Sequence, residues 1–137
     1  MAAANYSFTV EQGATTDFEI VYKDSNGTPV DLTRYTARMQ LKDSIGGSST
    51  YLTLSSSLGG DGTGLNLSGS GGLGASKPTS SGSIGIYIGH VSSSALTFKT
   101  AVYDLELISG SGGTATVTRL LQGKVNLSKE VTTGDSY

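Results

Sequence analysis

The side chains that could carry chemistry are few in this sequence. His90 is the one histidine and there is no cysteine, so neither a paired-imidazole metal site nor a thiolate is available. Serines are abundant, but none lies in the strand–turn–helix setting of a nucleophile elbow. His90 follows a strand end and is expected to be an ordinary surface residue. The sequence predicts a protein that is not an enzyme and holds no cofactor or metal.

Two further patterns imitate binding motifs. Residues 69–74 read G-S-G-G-L-G and match G-x-G-x-x-G, but no helix follows whose N-terminus could hold a phosphate, so chance in a glycine-rich stretch explains the match. Asp24, Asn26 and Asp31 offer oxygen ligands around a turn, as calcium loops do. Because no glutamate follows at the spacing of a bidentate ligand, we expect these residues to stabilise a hairpin instead.

Composition excludes several classes of partner. The 137 residues carry a formal net charge of −2, and the nine basic residues are scattered between Lys23 and Lys129. A nucleic-acid partner is therefore not expected, since phosphate binding needs clustered basic side chains. No apolar stretch is long enough to span a membrane, so no membrane partner is expected. Exposed tyrosines such as Tyr87 could stack on sugars, which keeps glycan contact as a minor alternative in a chain without tryptophan.

Strict alternation of apolar and polar residues is the main structural signal. It recurs in short runs along the whole chain and predicts seven to nine strands, whereas no window shows a helical period beyond one turn near residues 92–96. The clearest runs are Tyr6/Phe8/Val10, Phe18/Ile20/Tyr22, Ala37/Met39/Leu41, Tyr51–Leu54, Leu65–Leu67, Ile84/Ile86/Ile88, Ala101/Tyr103/Leu105/Leu107 and Leu121/Val125/Leu127. The sequence therefore predicts a single all-β domain over residues 1–137, with a size that suits one core.

Turn residues mark the boundaries between these strands. Asn26-Gly27 predicts a tight turn in which both residues take positive φ. Pro29 restricts the following segment to a sheet edge. Gly123 interrupts the last strand and predicts a bulge near this position.

Residues 43–82 differ from the rest of the chain because glycine, serine and threonine dominate them. A segment of this composition can bury little apolar surface, so little free energy is gained to offset the conformational entropy lost when the segment becomes ordered. The segment is predicted to be a long Gly/Ser-rich excursion, either a flexible loop or a segment ordered by a neighbouring subunit. In particular, residues 59–82 are predicted to lack contacts that would fix their shape within one chain.

Residues 101–107 read A-V-Y-D-L-E-L and resemble the tyrosine corner of immunoglobulin-like sandwiches. The resemblance rests on Ala101, Tyr103 and Leu105. It implies an immunoglobulin-like β-sandwich of antiparallel strands, in which the Tyr103 hydroxyl bonds a backbone group upstream. An ordinary core tyrosine is the alternative.

Several longer sequence segments, toward both ends of the chain, carry a second resemblance. They are QGAT at 12–15, DSNGTPVDL at 24–32, YTARMQ at 35–40, YDLEL at 103–107 and VTRLLQGKV at 117–125. In this order they resemble small virion structural proteins of tailed bacteriophages, similar to the N-terminal β-domain of the upper baseplate protein family. The Gly/Ser excursion is longer than in that pattern, so no binding residue is carried over from the family.

The resemblance implies a structural component of a tailed-bacteriophage particle, acting in tail or baseplate assembly or in attachment. Its partners would be other virion proteins and copies of itself, and its location would be the virion after assembly in the host cytoplasm. Two alternatives stay open at this point. One is a decoration protein of the phage head, and the other is a carbohydrate-binding module.

Overall fold

The computed structural model describes residues 4–69, 77–110 and 112–131. These ranges contain nine strands and one short α-helix, which confirms the all-β prediction. The strands are β1 Ala4–Asn5, β2 Phe8–Glu11, β3 Thr16–Val21, β4 Tyr35–Lys42, β5 Thr50–Ser55, β6 Gly64–Asn66, β7 Ser83–Ile88, β8 Thr100–Ser109 and β9 Thr116–Ser128. The helix α1 spans His90–Ser94, and 3₁₀ turns span Thr79–Ser81 and Gly112–Thr114.

The strands form two sheets. The large sheet has six strands in the order β1-β9-β8-β4-β5, with β2 pairing with β9 beside β1. The small sheet has the order β3-β7-β6. A single core cluster takes side chains from both sheets, among them Met39 and Leu105 of the large sheet and Ile86 of the small one. One face of each sheet is therefore directed toward a shared core.

Pairing of the N-terminal strands differs from the prediction of antiparallel strands. β1 and β2 both run parallel to β9, with Ala4 opposite Leu121 and Phe8 opposite Val125. Between them the ladder is interrupted, because Ser7 Oγ accepts the backbone N–H of Lys124 at 3.2 Å. The other pairings in both sheets are antiparallel.

Residues 43–82 are not a continuous loop. They contain β5 and β6, and Leu54 and Leu65 are fully buried in the core. Within the part predicted to lack contacts, the backbone of Gly59 bonds Thr63 and that of Lys77 bonds Ser68. The apolar runs Tyr51–Leu54 and Leu65–Leu67 predicted these two strands. Composition alone underestimated the order of the segment, because a few well-placed apolar residues anchor it. The G-x-G-x-x-G match lies largely outside the described residues.

Local details depart only in part from the sequence reading. β9 carries a bulge near Gly123, as predicted, and the extra residue is Leu120, since Leu105 pairs with Leu121 and Glu106 with Arg119. α1 begins two residues before the predicted turn.

Pro29 makes only an isolated bridge to Lys23 rather than an edge strand. In the turn before it, Gly27 has φ +82° and Asn26 does not take positive φ.

Candidate binding face

The outer face of the large sheet carries the side chains that alternate with the core residues of β4, β8 and β9. On β4 every second residue is buried, and Arg38, Gln40 and Lys42 point the other way. On β8 the corresponding outward residues are Asp104 and Glu106. The sequence predicted this division correctly because the side-chain period of a strand is two.

Strand register arranges these outward side chains in rows that cross the sheet. The central row contains only hydrogen-bonding side chains, one from each of five strands. Its members are Thr53, Gln40, Asp104, Gln122 and Asn5. Gln122 Nε2 lies 3.5 Å from Asn5 Oδ1 at one end of the row. The row therefore offers donors and acceptors side by side across the width of the sheet.

The next row contains two basic residues around an acidic one. Arg38 and Arg119 lie on the strands either side of Glu106. Arg38 Nε contacts Glu106 Oε1 at 2.7 Å, and Arg119 Nε reaches diagonally to Asp104 Oδ2 at 3.3 Å. Both carboxylates on this face are thus paired with arginines across strands, which fixes their position more than it adds to stability.

The row on the other side of the central one contains two lysines. Lys42 and Lys124 lie on either side of Val102. Neither ammonium group forms an ion pair with any residue in the described ranges. Their charges are therefore available to a partner.

A groove of about 680 Å³ runs over this face. Residues of all three rows line it, and the tip of the β4–β5 hairpin, including Ile45, forms part of its wall. Four of the nine basic residues of the chain line the groove, but only two of its eleven acidic residues do. The groove therefore carries a formal charge of +2 on a chain whose net charge is −2.

Tyr103 anchors the N-terminal strand to this sheet. Its ring is buried, with 5% of the residue exposed, and its hydroxyl donates to the backbone carbonyl of Tyr6 at 2.5 Å. Burial raises the pKa of Tyr103 to about 12. The resemblance to a tyrosine corner predicted a bond to a backbone group upstream, and the partner here lies 97 residues upstream. Tyr103 thus ties β8 to the segment between β1 and β2.

Gly123 makes this contact sterically feasible. It lies opposite Tyr103 on β9, and a Cβ at this position would come within 2.2 Å of the Tyr6 carbonyl oxygen. The missing side chain therefore leaves the space into which the Tyr6 backbone turns. The sequence marked Gly123 as irregular but did not indicate that a second strand approaches it.

The other predicted structural residues occupy separate places. Ala101 and Leu105 are buried on the inner face of β8, with Tyr103 between them. Asn26 and Gly27 form the turn after β3, where Asp24 Oδ1 accepts the backbone N–H of Asn26 at 2.9 Å. Neither Asn26 nor Gly27 lines the groove.

A polar network around α1 was not predicted from the sequence. Asp61 Oδ2 accepts from the backbone N–H and the hydroxyl of Ser92 at 3.2 and 2.8 Å, and Oδ1 accepts from the backbone N–H of Thr63. Burial opposes ionisation of Asp61, but these hydrogen bonds outweigh it and lower its pKa to about 2. Asp61 therefore caps the first turn of α1 from a loop 31 residues away.

Buried Ser93 joins the same helix to the β2–β3 turn. Its hydroxyl donates to the Ala14 carbonyl at 2.8 Å and accepts from the Gly13 backbone N–H at 3.1 Å. Ser92 and Ser93 of this helix thus connect it to two distant loops.

The acidic candidate calcium ligands, Asp24 and Asp31, are used in their own turns. Asp24 and Asp31 accept hydrogen bonds from the backbone of their own turns, and the hydrogen bonds from Thr33 lower the pKa of Asp31. In the described ranges no three His, Cys, Asp or Glu residues are grouped as metal ligands would be. Within the same ranges, no helix has the length and apolar character needed to cross a membrane.

Comparison with known proteins gives no family for this chain. No protein-family model matches its sequence. A search of curated proteins likewise finds no significant match.

Proposed function

We propose that this chain is a non-enzymatic, immunoglobulin-like β-sandwich domain of a tailed-bacteriophage particle, which assembles into the tail or baseplate through the outer face of its large sheet. The observation that carries the proposal is the groove on that face, with its ordered rows of hydrogen-bonding and charged side chains. Such a surface suits a partner protein, because a polar interface gains specificity from fixed, complementary groups.

Strand order supports the immunoglobulin-like part of the proposal. β3, β7 and β6 take the places of strands B, E and D, while β9, β8, β4 and β5 take those of G, F, C and C′. The chain has neither the cysteine pair nor the tryptophan of antibody domains. Buried aliphatic side chains fill the core instead, including Met39 on β4 and Leu105 on β8.

The sequence phrases at the two ends of the chain support the phage assignment. Three of them supply elements of the candidate face: residues 35–40 form most of β4, residues 103–107 lie in β8 and residues 117–125 lie in β9. The resemblance to virion proteins therefore falls on the strands that build the groove.

The experiment compares charge reversals inside and outside the groove. The variant Lys42→Glu/Lys124→Glu removes the two unpaired cations, while Lys23→Glu/Lys99→Glu makes the same charge change elsewhere on the surface. Incorporation into purified particles is measured by quantitative immunoblotting. We expect the groove variant to lose at least tenfold in incorporation and the control to incorporate normally.

Electron microscopy of particles labelled through a tag on this chain then gives its position. Density at the tail or baseplate agrees with the proposal, and density over the capsid would show the decoration protein instead. Absence of the chain from purified particles, despite normal folded expression, would refute a virion role.

A carbohydrate-binding module is the second candidate. The central row favours it, since amide, carboxylate and hydroxyl groups across five strands match the hydroxyl groups of a sugar chain. Binding of the purified protein to a glycan array, abolished by Gln40→Ala and Gln122→Ala, would establish this function in place of assembly.

A further inference from the structure

The edges of a β-sheet expose unpaired backbone N–H and C=O groups, and natural proteins usually protect them. β5 forms one edge of the large sheet and pairs only with β4 in the described part of the chain. Its sequence is T-Y-L-T-L-S, without a charge, a proline or a glycine. This composition is typical of a strand that accepts another strand beside it.

The other three edges carry protection. The β1/β2 edge consists of two short strands interrupted at Ser7. β3 carries Asp17 and Glu19, and Lys77 contacts Glu19 at 2.6 Å. β6 has only three residues, all buried. β5 is therefore the exception among the sheet edges that the structure describes.

The exposure of the β4–β5 hairpin is also unusual. Ile45 at its tip is 94% exposed, and Tyr51 on β5 is 38% exposed. Thr50 and Thr53 are exposed as well. The register shift at Leu41/Lys42 leaves Tyr51 as an extra residue, so residues 52–55 form the regular part of the edge. The outward side chains of this hairpin are thus open to solvent, while one face of the Tyr51 ring stacks on Phe98 with the ring centroids 4.8 Å apart.

We propose that β5 pairs with β5 of a second copy of this chain, antiparallel and about a two-fold axis, so that two large sheets join into one continuous sheet. The inference rests on the proposed function and deepens it by naming one partner as the chain itself. It uses the backbone edge of β5, which borders the groove at Thr53. A two-fold axis makes the contact isologous, and the same residues then serve both copies.

Side-chain chemistry favours a second copy as the occupant. Leu52 is only partly buried at the edge, while Leu54 is fully buried. An antiparallel copy brings its own leucines to the same face and covers Leu52. Because β5 is uncharged, pairing it with itself opposes no like charges. The same pairing of β3 would set Asp17 and Glu19 against their copies, which is unfavourable.

The cations beside β5 are compatible with this arrangement. Arg38 and Lys42 lie one strand inside the edge. In the paired sheets, three strand spacings separate the β4 cations of the two copies, about 14 Å. This distance exceeds the screening length of about 8 Å at physiological salt. Charge repulsion therefore does not oppose the contact.

The first experiment measures self-association by sedimentation velocity over a range of concentrations. We expect a reversible dimer whose dissociation constant rises at least tenfold in Thr53→Lys, because the new cations meet across the edge. The matched control is Thr100→Lys, an exposed strand threonine away from β5, and it should change the constant less than twofold. Circular dichroism verifies that both variants are folded.

The second experiment uses the absence of cysteine from the chain. Single cysteines at Thr50, Thr53 and Ser55 test the edge, and Thr100→Cys is the control. Under mild oxidation we expect at least one of the three edge variants to form disulfide-linked dimers much faster than the control.

Three results would overturn the inference: a monomer at all concentrations, a dimer that Thr53→Lys leaves intact, or edge cysteines that react no faster than Thr100→Cys. Lost particle incorporation of Thr50→Lys, at an exposed β5 position that does not line the groove, with a monomeric parent protein would show that β5 receives a strand of another protein. The groove variant Lys42→Glu/Lys124→Glu should still dimerise. Self-association therefore tests the edge contact, and particle incorporation of the groove variant tests the proposed assembly face independently.

Discussion

The close approach of Tyr6 to Gly123 gives the sharpest test of how the N-terminal strand is held. In Gly123→Ala, the new Cβ would lie 2.2 Å from the Tyr6 carbonyl oxygen, whereas ordinary contacts begin at 3.4 Å. The carbonyl must therefore move by about 1.2 Å, the difference of these distances. Gly123 does not take positive φ, so the cost arises from this contact and not from backbone strain.

The magnitude follows from what the displacement breaks. The Tyr103 hydroxyl bond of 2.5 Å would lengthen beyond hydrogen-bonding distance and leave a buried hydroxyl without its partner, at a cost of about 1–3 kcal/mol. Loosening of the neighbouring β1 and β2 pairs adds to this. We expect a loss of about 2–4 kcal/mol in the free energy of unfolding, or a fall of roughly 6–12 °C in Tm.

The assay is a double-mutant cycle measured by urea denaturation. Tyr103→Phe alone should cost about 1–2 kcal/mol, but little in the Gly123→Ala background, where the bond is already broken. Gly113→Ala is the control, because a Cβ there meets no atom within 4 Å. If the costs of Gly123→Ala and Tyr103→Phe add to within about 0.5 kcal/mol, the two residues do not act through one contact and the reasoning is refuted.

Four further outcomes are expected. The pKa of Asp61 is lowered to about 2, so the ionised carboxylate stabilises the fold above the unfolded pKa of about 4, and this stabilisation is lost as pH falls through 2. Between pH 5 and pH 2, the Tm of Asp61→Ala should therefore fall less than the Tm of the parent protein. The pKa of Tyr103 is raised to about 12, so its contribution to stability is intact below pH 10 and is lost as pH rises through 12. In thermal melts at alkaline pH, Tyr103→Phe should lack this fall in Tm. Ser93→Ala should cost about 2–3 kcal/mol by leaving two backbone groups of the β2–β3 turn without partners, whereas exposed Ser94→Ala should cost little in the same urea titration. Leu65→Ala should cost about 2–5 kcal/mol in urea denaturation; an unchanged midpoint would show that the glycine-rich segment is a passive loop.

The elements that the sequence predicts well are those whose signal is local. β4 and β8 alternate strictly, because one face of each packs on the core and the other faces solvent. Their outward residues could be named from the sequence for the same reason. Arg38 and Asp104 were thus placed on the correct face, although nothing in the sequence showed that they belong to one groove.

The features that were missed depend on register and on distant contacts. The rows of the binding face exist only because β4, β8 and β9 align at particular positions, and the bulge at Leu120 shifts that alignment. Asp61 and Ser92 are 31 residues apart, and an aspartate before a glycine-rich stretch looks like any loop residue. The parallel docking of β1 and β2 on β9 has no local signature either, since it joins the two ends of the domain.

That parallel docking has a mechanical consequence. Because β2 and β9 run in the same direction, tension applied to the two ends of the domain pulls these neighbouring strands past each other along their length. The hydrogen bonds that join β2 and its flanking residues to β9, including those from Tyr6 to Gln122 and from Gln12 to Ser128, then bear the load together instead of opening one after another. Forced unfolding is governed by the rate at which such a barrier is crossed. The strand arrangement therefore loads these hydrogen bonds in shear when the domain is stretched.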